Sequence, residues 1–257
     1  MRILVTAALL LPAVVFASSP FDGTWKTRMD SMKVSGKPDV FQITADGMYT
    51  CSSCFPELKL KADGADHATT GNPYHDSVAV RIISPTSVER IDKLHGKVMS
   101  TSTITVSADG STLTGKFTDH TGAQVATGAF SETRVAAGAA GAHAVSGSWQ
   151  LQQASDANEA LRTVAYEMTP EHFSMHWNGQ SYQAKFDGKE YPIEGDPGHT
   201  RVTLKKIDDN TVEETDHRQG KVTDEIRLAA APDGKTVQVT DKDLQHGQTT
   251  TYTVEKQ

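Results

Sequence analysis

Two cysteines three positions apart, Cys51 and Cys54, are the residues whose type and spacing point most directly to chemistry. In a straight strand their Cα atoms would stand ~10 Å apart. A disulfide tolerates at most ~7 Å, so a bond between them requires a tight turn at Ser52-Ser53, just before Phe55-Pro56. A thiol-exchange motif normally opens a helix that lowers the thiol pKa, and no helical pattern follows here. A structural zinc site wants four ligands, and this pair supplies two. Haem attachment needs a histidine straight after the second cysteine, where Phe55 stands. A turn-fixing disulfide is therefore the expectation, with thiol redox activity as the alternative. Neither a metal nor a cofactor is expected.

Histidines and acids offer less. His75 and His199 occupy matched places after Gly-x-Pro and are weak candidates for touching a ligand; the competing reading is a turn histidine bonded to backbone. His172 and His176 would pair on a helix, but on an alternating strand they stand ~13 Å apart and cannot share an ion. Glu89, Asp92 and Lys97, with Glu213, Asp216 and Lys221, resemble paired acids beside a base. Flanking hairpin turns, they read as exposed ion pairs worth under ~1 kcal/mol. There is no nucleophile elbow, phosphate-cradling glycine loop or calcium-loop spacing, so no catalytic residue is proposed.

The elements that must hold these residues are strands. Thr, Val, Ser and Ile recur in short alternating runs punctuated by turn residues, and no long stretch has helical periodicity. Val78, Val80 and Ile82 face one way while Ser77, Ala79 and Arg81 face the other. The sequence also repeats: a shift of 124 positions sets Gly23-Thr24-Trp25 on Gly147-Ser148-Trp149, and Gly71, Pro73 and His75 on Gly195, Pro197 and His199. Each copy reads as about nine strands joined by short links. The expected fold is all-β, with two tandem up-and-down antiparallel barrels. The expected units are residues 18–134 and 145–257, joined by a flexible Ala/Gly tether at 135–144.

Residues 1–17 read as a secretory signal peptide: Arg2, an apolar run from Ile3 to Phe16, and a small-residue exit. The run is short for a spanning helix, so export to the periplasm or the exterior is expected, with no membrane span after cleavage. The net charge of −7 comes without a basic stripe, which speaks against a nucleic-acid partner. Nothing in the residues specifies an oligomeric state.

Phe21-Asp22-Gly23-Thr24-Trp25-Lys26 resembles the opening strand of the calycins, the lipocalins and fatty-acid-binding proteins. In that family the tryptophan closes the barrel floor and a cation from the last strand packs over it. The resemblance implies Trp25 under Arg134 in the first barrel and Trp149 under Lys256 in the second. It also implies a small apolar or amphipathic molecule in one or both lumens. The alternative is an envelope interaction module whose barrels are filled.

Overall fold

The computed structural model describes residues 19–257; the segment read as a signal peptide lies outside them. The first copy supplies β1 (Gly23–Gly36), β2 (Asp39–Ile43), β3 (Met48–Cys51), β4 (Leu58–Lys61), β5 (His67–Ala68), β6 (Ser77–Ser84), β7 (Ser87–Leu94), β8 (Lys97–Val106), β9 (Thr112–Asp119) and β10 (Ala126–Ala137). The second supplies β11 (Gly147–Ser155), the single-turn α1 (Glu159–Arg162), β12 (Thr163–Met168), β13 (His172–Trp177), β14 (Gln180–Lys185) and β15 (Tyr191–Pro192). It ends with β16 (Arg201–Asp208), β17 (Thr211–Arg218), β18 (Lys221–Ala230), β19 (Thr236–Asp243) and β20 (Gln248–Lys256). The strands fall where alternation places them. Two-residue segments, β5 and β15, bring each barrel to ten strands rather than nine.

Two antiparallel ten-stranded sheets curl into nearly closed barrels. Isolated bridges carry the closure, Asp63 to Arg81 in one and Ser181 to Glu194 in the other. Apolar residues fill each interior from alternate positions. Val78, Val80, Val88, Leu113 and Trp149 lie in the first barrel, and Trp25, Val202, Val212, Val237 and Val254 in the second.

The barrels exchange their first strands. β1 lies between β12 and β20, inside the sheet of the second copy, while β11 lies between β2 and β10. The two copies therefore do not close on themselves. Barrel one is β2 to β11, and barrel two is β1 with β12 to β20. The expected tether at 135–144 is likewise overturned. β10 runs on to Ala137 and returns through a hairpin into β11, with Ala137 paired to Gly147. Val145 in that turn is fully buried, and His143 Nε2 lies 2.7 Å from the Ser84 carbonyl. The physical reason is local: closing a short loop between neighbouring strands costs little entropy. β11 is thus captured beside β10, and β1, which carries the same Gly-x-Trp motif, takes the vacant place in barrel two. Its C-terminal end crosses to barrel one at Gly36, where φ is +123° and a Cβ would stand 2.4 Å from the Gly247 carbonyl oxygen. Only glycine fits there.

The floor pairs are crossed accordingly. Arg134 lies 3.9 Å over the Trp149 ring, and the Lys256 ammonium 5.5 Å over that of Trp25. The expected pairs, Trp25 with Arg134 and Trp149 with Lys256, are corrected by the exchange. Both indoles are fully buried, and each donates to the carbonyl four residues earlier, Phe21 for Trp25 and Val145 for Trp149. Arg134 also donates to the carbonyls of Gly110, Ala144 and Ser146, stapling the β10–β11 hairpin to the barrel. It approaches so closely that a Cβ on Gly147 would stand 2.8 Å from its Nη1.

Two outcomes follow from this arrangement. Thr24 pairs with Ala165 and Ser148 with Val40. A Thr24→Cys/Ala165→Cys variant should cross-link within one chain, and Thr24→Cys/Val40→Cys should not, as read by mass spectrometry without reductant. The reverse result would restore self-contained copies. In chemical denaturation, Arg134→Ala should cost about 2–4 kcal/mol, through three stranded carbonyls and the lost cation–π contact. Lys256→Ala, with an exposed ammonium, should cost below about 1 kcal/mol.

Candidate functional site

The open ends of the barrels face one another across the exchanged strands. Tyr74 of barrel one donates to Asp196 at 3.0 Å and accepts from Arg218 at 3.0 Å. Asn178 bonds the main chain of Ala123 and Gln124. Between them the lumen of barrel two encloses a cavity of about 520 Å³. Its apolar wall includes Met29, Tyr166, Met175, Trp177, Ile193 and Ile226, with Phe117 and Gly128 of barrel one on the far side.

Carboxyl groups share its lining, with Ile226 set between Glu214 and Asp241 across the ladder. β17 begins inward with Val212, so alternation turns Glu214 and Asp216 inward as well, and Asp241 reaches the same space from β19. Glu214 is 5% exposed and accepts the Tyr182 hydroxyl on Oε2 at 2.5 Å. Asp216 Oδ1 and Asp241 Oδ1 are buried with no hydrogen-bond partner among the described residues. Asp224 faces Asp216 across the ladder. Burial is the first cause that raises the pKa of all four, and repulsion from nearby carboxylates adds to it, with Asp243 acting on Asp224 and Asp241. Asp241 is pushed up to about 6. Burial likewise raises the phenols of Tyr166, Tyr182 and Tyr252.

Barrel one shows what these positions hold when the inward aspartate is paired within the chain. The repeat sets Glu214 on Arg90, Asp216 on Asp92, Asp224 on Ser100 and Asp241 on Phe117. Arg90 grips Asp92 with two bonds, 2.7 and 3.0 Å, and Ser100 donates a third at 3.1 Å. The Phe130 ring lies against Gly115, where a Cβ would stand 2.1 Å from it. In barrel two both donors to the aspartate have become acids. Barrel one keeps one comparable strain: Glu132, 3% exposed with Oε2 unpartnered, is raised in pKa by burial and then by Asp39.

The other expected site residues lie elsewhere. The Sγ atoms of Cys51 and Cys54 are 2.06 Å apart, at bonding distance, with Cα atoms 5.4 Å apart across the turn at Ser52-Ser53. Arg90 Nη1 lies 3.4 Å from the Cys54 sulfur. His75 is buried and bonds Thr69 Oγ1 through Nδ1 at 2.9 Å. His199 is an exposed turn residue at φ +52°, donating its N–H to the Asp196 carbonyl. Neither histidine lines the cavity. Glu89 and Glu213 do form surface ion pairs, with Arg81 and Arg227. Asp92 and Asp216 do not: they point into the lumens, because a position of odd offset from Glu89 or Glu213 faces the other side of the sheet. Glu214, Asp224 and Asp241 went unnoticed in the sequence. Comparing inward positions between the copies was the signal that could have found them.

Comparison with protein-family models, curated proteins and solved structures finds no match to this chain. Among the described residues no helix is long and apolar enough to cross a membrane.

Carboxyls whose pKa is raised by folding bind protons more tightly folded than unfolded. Their contribution is complete below the unfolded-state pKa near 4 and is lost as pH rises through the folded-state value. Melting temperature should therefore fall as pH rises from about 5 to about 8. Asp216→Asn should flatten that fall and gain at least about 1 kcal/mol at the upper end. A variant with an unchanged pH profile would show that Asp216 ionises normally.

Proposed function

We propose that the chain is an exported binding protein that holds a small amphipathic molecule in the lumen of barrel two. The observation that carries this reading is the cavity of about 520 Å³ whose lining combines apolar side chains with buried, unpartnered carboxyl oxygens. Sites for small molecules fall in this size range and combine an apolar lining with a few convergent polar groups. Buried acids without partners are costly to fold, and their concentration in one of two related barrels marks that barrel as the one under functional demand.

Barrel one supports the structural half of the alternative. Its Asp92 is paired with Arg90 where barrel two has Glu214 beside Asp216, so in this reading it serves as scaffold and supplies one wall of the site. Calycin kinship is part of the proposal; its support is Gly-x-Trp at each floor with a cation across the ring. Export is supported by the signal-like start and by the Cys51–Cys54 pair, since disulfides persist in oxidising compartments. A redox role gains nothing from a Cys51 that is 1% exposed.

The test uses the neutral fluorophore N-phenyl-1-naphthylamine. The mature protein should bind it saturably, and Ile226→Trp, which fills the cavity, should weaken binding at least about tenfold. No binding, together with a native mass spectrum free of any adduct, would sink the reading.

A further inference from the structure

We propose that the ligand of barrel two is an organic cation, a protonated amine on an apolar body, with its ammonium seated between Glu214, Asp216 and Asp241. This rests on the binding function just argued and names the chemistry of its ligand. Three observations carry it.

The first is the composition of the cavity, whose lining joins Met, Ile and aromatic side chains to three acids. A charged head at the acids leaves the rest of a molecule against Trp177 and Tyr166, whose ring faces also attract cations. The second is unspent acceptor capacity. Glu214 is 5% exposed, and its Oε2 accepts from Tyr182. One oxygen each of Asp216 and Asp241 is buried without a donor among the described residues. A buried acceptor left empty is costly, and an ammonium supplies three donors.

The third is the repeat itself. In barrel one the aspartate matching Asp216 is engaged by a cation, the Arg90 guanidinium. In barrel two that arginine is Glu214, so the chain has removed its own cation and left the anions facing a cavity. The one cationic side chain lining this cavity, Arg162, spends its Nε and Nη2 on the Thr27 carbonyl. An anionic ligand would meet three carboxyls, Glu214, Asp216 and Asp241.

The experiment is calorimetric titration of the mature chain with three indoles of matched size: tryptamine, its alcohol analogue tryptophol, and indole-3-propionate. Tryptamine should bind at least about tenfold tighter than tryptophol, and the propionate weakest. Glu214→Gln should weaken tryptamine about tenfold while leaving tryptophol within about twofold. Glu214→Arg, which rebuilds the pair of barrel one on Asp216, should abolish tryptamine binding; if it fails to fold, the glutamine variant decides. Equal binding of amine and alcohol, or tightest binding of the propionate, would overturn the cation while leaving the cavity as a binding site. Failure of all three indoles while N-phenyl-1-naphthylamine still binds would do the same. Failure of that neutral probe as well would remove the binding function itself.

Discussion

Each barrel in this chain is floored by an indole that belongs to the other copy's sequence. Trp149 reaches barrel one only because β11 pairs with β10, and Trp25 reaches barrel two only because β1 pairs with β20. The cation above each ring comes from the strand that delivers it by register, Arg134 opposite Trp149 and Lys256 opposite Trp25. A floor is where a small barrel would otherwise admit water, so burying a large ring there is a condition for the whole interior. Exchanging the strands makes that condition mutual. Neither barrel can lose its floor without releasing a strand of the other, which couples the two halves into one cooperative unit. It also fixes their open ends face to face, because both crossing segments, after Gly36 and after Ser155, leave one mouth and enter the next.

The facing of the mouths creates the site. A lone barrel would open to solvent at this end, and its inward acids would be hydrated and ordinary. Here Phe117 and Gly128 of barrel one, with Met29 and Met32 of the exchanged strand, cover the opening. The cover adds to the burial that raises Glu214, Asp216 and Asp241. The cavity and its electrostatics are thus consequences of the exchange rather than of either barrel alone.

Much of the architecture was legible in the sequence. The alternation Val78-Val80-Ile82 locates a strand that the structure contains, and the 124-residue shift announces two related sheets. What could not be read was partnership. Gly23-Thr24-Trp25 and Gly147-Ser148-Trp149 offer nearly the same side chains to a neighbouring strand, so swapped and unswapped pairings bury nearly the same surface. The choice falls to the connectors, whose composition looked like a tether. Ala/Gly residues are compatible with a flexible link, yet Val145 and His143 close that segment into a packed turn. The acids were missed for a simpler reason. Charged residues near a hairpin suggest solvent, whereas the period of two from Val212 turns every second one inward.

A duplicated module also offers an internal control that no single barrel provides. Both copies solve the same packing problem, so a position where one solves it and the other does not separates structure from function. Barrel one shows that this fold can satisfy its inward aspartate: an arginine neutralises it and a serine completes its hydrogen bonding. Barrel two replaces the arginine and the serine by acids, and Phe117 by Asp241, each change adding unneutralised charge or removing bulk. Were barrel two only a structural partner, the arrangement of barrel one would serve it better, because paired charges cost less than buried free ones. The departures are concentrated around one cavity, and they share one sign of charge. That combination describes a receptor for something positive that arrives from outside the chain.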